Sequence, residues 1–120
     1  MHPTGYNKAS ALAYYAPVPM PRDRAIESPA HYITYKAIDG AAWAAQETCA
    51  KTCNAYTAAG KNCVMFNIYE RVVNGQSNAT ICALYDAAAG NATNGGDSEA
   101  GVVIRESSAW AVYDWQLYNF

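Results

Sequence analysis

Histidine is nearly absent from this chain: His2 and His31 are the only two in 120 residues. A Ser/His/Asp or Cys/His catalytic set would therefore need His31 itself, and no Gly-x-Ser-x-Gly elbow accompanies it. An enzyme is not expected. Charge is also scarce. Eight Lys+Arg face ten Asp+Glu, a net of -2, and neither sign clusters. That excludes the electrostatic footprint of a nucleic-acid binder or of an anionic-membrane binder. No apolar run approaches the ~20 residues of a membrane span. Met1-His2-Pro3 is not followed by the apolar stretch of a signal peptide. A redox Cys-x-x-Cys is missing, and so are the paired knuckles of a tetrathiolate zinc site. No metal or cofactor is expected.

What is present is concentrated between Asp39 and Tyr85, which holds all four cysteines: Cys49, Cys53, Cys63 and Cys82. Asp39 is a good N-cap residue. The Ala-rich run Ala41 to Ala59 carries Gln46, Glu47 and Lys51, all strong helix formers. Gly60 then sits where a left-handed C-terminal residue is wanted. One helix of four to five turns is predicted. Cys49 and Cys53, four residues apart, share one face of it. Two cysteines one turn apart are badly placed to bridge each other, so each reaches a different segment. Cys63 opens one strand-like run, Cys63 to Tyr69, and Cys82 sits in another, Ala79 to Tyr85. Four cysteines allow three pairings. The expected one is Cys53–Cys63, closing a short loop, with Cys49–Cys82 pinning the helix across the sheet. Disulfides argue for an exported protein, secreted, extracellular or in the cell wall. On that reading the chain is a mature or recombinant segment whose leader has been removed.

These residues carry a resemblance. Cys49-x3-Cys53, Cys63-x2-Phe66-Asn67-Ile68-Tyr69-Glu70 and Cys82-Ala83-Leu84-Tyr85 resemble the core of a PAN/apple-type domain. More narrowly they resemble the secreted PAN-like proteins of filamentous fungi. The supporting motifs are Tyr32-Ile33-Thr34-Tyr35, Thr93-Asn94-Gly95-Gly96, Val102-Val103-Ile104 and Ser107-Ser108-Ala109-Trp110. The resemblance covers about residues 30–113. It implies an α+β fold, with one helix on a curved, mostly antiparallel sheet and helix-to-sheet disulfides. It implies adhesion or ligand recognition without catalysis. Full apple domains often carry a third, terminal bridge, which this chain lacks.

Residues 1–29 form a separate compositional zone holding all five prolines. Ala16 to Pro21 is expected to be extended, near polyproline II. Ala9 to Tyr15 reads as a short helix or a strand. An apolar, Tyr-rich arm of this kind must pack on its own domain or on a neighbouring copy, and an arm that adds to another subunit's sheet edge is a known binding mode. Arg22 to Glu27 reads as a solvated, mixed-charge connector. His31 to Ile38 reads as the first strand of the domain.

After the Cys63 strand, Val72 to Ser77 is expected to be a hairpin loop around Asn74-Gly75. Asn78-Ala79-Thr80 and Asn91-Ala92-Thr93 are N-glycosylation acceptors, so Asn78 and Asn91 are candidate glycan sites. Asp86, Asp97 and Glu99 lie in a small-residue loop whose spacing does not match an EF-hand. Val102 to Glu106 is a final strand. Residues 114–120 form an aromatic tail. Ten tyrosines and three tryptophans are many for this length, and such rings suit contact surfaces and sugar stacking. The candidate contact aromatics are Tyr14, Tyr15, Trp110, Trp115 and Tyr118. Two functions are expected: a recognition or adhesion module for a glycan or an extracellular protein, or a self-assembling structural protein that uses the N-terminal arm.

Overall fold

The computed structural model of the chain describes residues 11–88, 93–94 and 101–113. Its core is an antiparallel sheet of five strands: β1 (Tyr15–Val18), β3 (Tyr32–Ile38), β4 (Met65–Val73), β5 (Gln76–Tyr85) and β7 (Val102–Val112). Their order across the sheet is β1-β7-β4-β5-β3. One helix, α1 (Gln46–Ala58), packs on one face. A two-residue ribbon, β2 (Ala25–Ile26) with β6 (Thr93–Asn94), is the only other pairing among the described residues. This is the α+β arrangement of one helix on an antiparallel sheet.

Side-chain alternation along the strands sorts the two faces. Phe66 and Ile68 of β4 and Cys82 and Leu84 of β5 are buried toward the helix, where they meet Ala45, Cys49, Ala50 and Cys53. The intervening Met65, Ala83 and Tyr85 are buried on the other face with Ala109 and Ala111 of β7. The helix buries only small groups: Cys49, Ala50 and Cys53. The bridges Cys49–Cys82 and Cys53–Cys63 hold it to the sheet. That is the expected pairing, in which Cys53–Cys63 closes the shorter loop. The bridged cysteines are 33 and 10 residues apart, so loop entropy alone gives about 4 and about 3 kcal/mol.

The helix starts later than its sequence predicts. Asp39 is not its cap. Gly40 has a φ of 95° and its carbonyl accepts a bond from the Thr80 hydroxyl on β5. That tertiary contact turns the chain, Ala41 stays extended, and only a single 3-10 turn, Ala42–Ala44, precedes α1. The other end follows the expected pattern. Gly60 has a φ of 94°, its N–H donates to Thr57, and the Lys61 N–H donates to Tyr56. These two bonds close a Schellman cap.

The expected loop at 72–77 shrinks to the two residues Asn74 and Gly75. Their φ values of 52° and 82° fit a type I′ turn. The flanking pair Val73 and Gln76 is already in register, so β4 and β5 run up to the turn. Asn78 lies within β5, where the register shifts between Arg71/Ala79 and Val72/Ser77.

The described part of the arm joins the sheet. Tyr15–Val18 pairs with β7 as an edge strand, a position that tolerates Pro17 because the outer side needs no donor. Tyr15 is 3% exposed and stands edge-on to Phe66 at 5.2 Å. Before it, the N–H groups of Ala11 and Leu12 donate to the Glu47 carboxylate at 2.7 and 3.2 Å. The segment read as a solvated connector is also structural. Ala25 and Ile26 are buried. The Ile26 N–H donates to Asn67 Oδ1 at 2.8 Å, and the Ile26 carbonyl accepts from the Tyr85 hydroxyl at 3.1 Å. Two side chains of the sheet thus satisfy both polar groups of one buried backbone unit. Charges on either side of an Ala-Ile pair concealed this in the sequence.

Asn67 is fully buried. Its amide also donates to Ser107 Oγ and to the Ser108 carbonyl, each at 2.8 Å. Asn67→Leu would remove those partners and leave the buried Ile26 N–H unsatisfied, at about 1–3 kcal/mol. The expected result is a clear loss of stability in urea unfolding, with Ile26 the amide whose hydrogen exchange accelerates most. A variant as stable as the wild type would remove Asn67 from this role.

Candidate functional site

The helix and its disulfides cover one face of the sheet. On the other face, among the described residues, Val18, Met20 and Ile26 lie over the β4–β7 side. Toward β3 that face is open among the described residues. It forms a groove of about 770 Å³, within the ~300–1,000 Å³ range of small-ligand sites.

The groove follows from strand register. Tyr35 and Ala37 of β3 stand opposite Ala83 and Ile81 of β5, and Tyr69 of β4 stands opposite Ile81. Small side chains make the floor, and four tyrosines rise around it: Tyr32, Tyr35, Tyr69 and Tyr85. Arg71 enters from β4, and Ile26, Glu27 and Ser28 form the far wall. The four tyrosines have different tasks. Tyr85 is 3% exposed and anchored through its hydroxyl to Ile26. Tyr32 stands edge-on to Tyr85, with centroids 5.8 Å apart. Tyr35 is 57% exposed and is the most open ring of the set. Buried rings thus support exposed ones, which holds a platform in place without a ligand.

Electrostatics keep the buried phenols neutral. Burial pushes the Tyr15 hydroxyl up to about 12. Burial, then the nearby Tyr69 and Tyr32, raises the Tyr85 hydroxyl well above the ordinary tyrosine value of 10.0. Tyr32 is raised by burial and then by Tyr35. The groove therefore offers hydroxyl donors and ring faces at neutral pH.

Of the aromatics singled out from the sequence, the three described ones have different settings. Tyr14 is exposed, and its carbonyl accepts a bond from the Tyr113 N–H. Tyr15, its neighbour, is core, with its hydroxyl donating to Asn54 Oδ1. Trp110 is half-buried against the helix-side core, and its indole N–H donates to Ser108 Oγ at 3.1 Å. Trp115 and Tyr118 lie outside the described residues, as do Asn91, Asp97 and Glu99. His31 pairs with Asp86 on the surface at 3.1 Å. Among the described residues no group of three or more His, Cys, Asp or Glu could hold a metal ion, and no helix is long and apolar enough to cross a membrane.

The groove tyrosines come from the motifs that mark the strands: Tyr32 and Tyr35 from Tyr32-Ile33-Thr34-Tyr35, Tyr69 from Phe66-Asn67-Ile68-Tyr69, and Tyr85 from Cys82-Ala83-Leu84-Tyr85. The signal was strand alternation. With Phe66, Ile68, Cys82 and Leu84 assigned to the helix, Tyr69 and Tyr85 must face the other way. No known match decides what the groove holds. Comparisons with protein-family models, with characterised proteins and with solved structures find nothing that matches this chain.

A raised acid pKa means the folded state holds a proton that the unfolded chain releases. The associated stability is intact below pH 10.0, the ordinary value, and is lost as pH climbs toward 12. In an alkaline titration the last phenolate absorbance is expected to appear together with loss of circular dichroism. Tyr15→Phe should remove part of that late rise. An unchanged titration in this variant would contradict the burial argument.

Proposed function

We propose that the protein is a secreted, non-catalytic recognition module of PAN/apple-like type, and that the tyrosine groove holds a glycan chain at a cell wall or surface. The observation that carries this reading is the four-tyrosine groove on the sheet face opposite the helix. Pyranose rings present flat C–H faces that stack on aromatic rings, and their hydroxyls need donors and acceptors at the edges. The groove supplies both, with Tyr32 and Tyr35 as exposed rings and Glu27, Ser28 and Arg71 at its sides. Two disulfides support an oxidising, extracellular setting. The Asn78 and Asn91 acceptor motifs fit a glycoprotein.

A second reading is self-assembly as a structural or adhesive protein. One observation favours it: Pro17, Pro19 and Pro21 are exposed in a row beside the edge strand β1, while Val18 and Met20 turn inward. An extended proline row is a recognisable contact element for another copy.

Immobilised chitin, β-1,3-glucan and mannan test the first reading. The oxidised full chain should bind at least one of them, and Tyr35→Ala should weaken that binding by about tenfold, the equivalent of one lost stacking contact. Tyr35 is exposed, so the variant should keep the wild-type melting temperature. Binding that is indifferent to Tyr35→Ala would sink the groove. Failure to bind any of the three, with light scattering that grows with protein concentration, would move the conclusion to assembly.

A further inference from the structure

Trp43 is 67% exposed, in the turn that leads into α1. Its setting inverts the usual order of burial. In Ala41-Ala42-Trp43-Ala44-Ala45 the buried residues are Ala42 and Ala45, while the one large apolar side chain points to solvent. Apolar side chains of that size are ordinarily covered on average, so the turn presents this ring outward.

Beside Trp43 lies a second hollow of about 360 Å³, at the β1/β7 edge of the sheet and away from the tyrosine groove. Pro19, Arg22, Gln46, Glu106 and Ser108 share its lining. Glu106 is the unusual member. Its φ is 51°, a left-handed conformation that a glutamate rarely adopts. It sits where the β4–β7 register shifts between Ile68/Ser108 and Glu70/Arg105. The neighbouring Ser107 N–H is turned aside to donate to the Arg22 carbonyl at 2.8 Å, and Ser107 Oγ accepts from Asn67. A bulge in mid-strand re-aims side chains, and here it adds a carboxylate to the wall shared with Trp43. Asparagine or glycine would fill the same backbone position with less strain.

We propose that Trp43, Gln46 and Glu106 form a second glycan subsite, which takes one or two pyranose units with a ring stacked on the Trp43 indole. The Glu106 carboxylate accepts hydrogen bonds from vicinal sugar hydroxyls, and the Gln46 amide, which lies 3.4 Å from Ser108 Oγ, donates to a ring substituent. Two sites at opposite edges of one small sheet make the protein bivalent, so it can bridge polysaccharide chains and gain avidity on a surface.

The test is calorimetric titration of the full, oxidised chain with soluble chitin hexamer, β-1,3-glucan hexamer and mannan. Three variants are compared: Trp43→Ala, Glu106→Asn and Tyr35→Ala. Trp43→Ala should weaken binding of at least one probe about tenfold. Glu106→Asn should also weaken that binding while its melting temperature holds or rises, because asparagine tolerates the left-handed backbone. This opposed pair of changes separates a ligand contact from a merely structural residue. Binding of every probe unchanged in Trp43→Ala or in Glu106→Asn overturns the subsite, and so does a wild-type chain that binds none of the three. Binding abolished by Tyr35→Ala alone overturns it too and leaves the groove standing. Binding lost in Trp43→Ala and kept in Tyr35→Ala upholds the subsite and removes the groove.

Discussion

The buried amide of Asn67 has three partners on two other segments of the chain. Its oxygen holds the Ile26 N–H of β2, and its nitrogen holds Ser107 Oγ and the Ser108 carbonyl of β7. None of these partners is charged, so the cluster avoids the desolvation cost of a buried ion pair. Every bond is nevertheless obligatory, because no water reaches a fully buried group to replace it. Both candidate sites depend on this point. The bond to Ile26 seats the wall of the tyrosine groove, with Glu27 and Ser28 following directly in the chain. The bonds to Ser107 and Ser108 fix the bulge that turns Glu106 into its strained conformation. A single residue of the central strand thus connects the two ends of the sheet face.

Much of the architecture was legible from local signals. The Ala-rich run with its glycine stop specified a helix. Asn74-Gly75 specified a tight hairpin, and the one-turn spacing of Cys49 and Cys53 argued against a bridge between them. Each of these reads from residues within a few positions of one another. The start of α1 was not legible, because it is set by the Thr80 hydroxyl on the Gly40 carbonyl, a contact 40 residues apart. The docking of Ala25-Ile26 was hidden for the same reason. Two apolar residues among four charged ones carry no periodic signal, and the groups that hold them, Asn67 and Tyr85, are 41 and 59 residues away.

The candidate sites were half legible. Aromatic abundance pointed to a contact surface, and the strand motifs already contained Tyr32, Tyr35, Tyr69 and Tyr85. What the sequence lacked was the choice of face. Residues such as Tyr69 and Tyr85 read equally well as core, and Tyr15 and Trp110 read equally well as surface. The assignment follows only once the helix is known to cover Phe66, Ile68, Cys82 and Leu84. Trp43 was masked by its alanine neighbours, which suggested a helix interior where the structure has a turn.

The composition of α1 explains why so many rings remain for the surface. A helix usually holds to a sheet by burying large apolar side chains, at about 1.5–3 kcal/mol each. Here the buried helical residues are two cysteines and an alanine. Small side chains bring the helix close to the sheet, and the two disulfides supply by covalent constraint what dispersion and burial would otherwise contribute. Phe66, Ile68, Leu84 and Tyr15 fill the space beneath the helix, with Leu12, Ile33, Ile38, Tyr56, Trp110 and Val112 packed against them. Tyr32, Tyr35, Tyr69 and Trp43 are not needed there. The covalent staples on one face thus leave aromatic side chains for the opposite face and for the turn, where they stay partly or largely open to solvent.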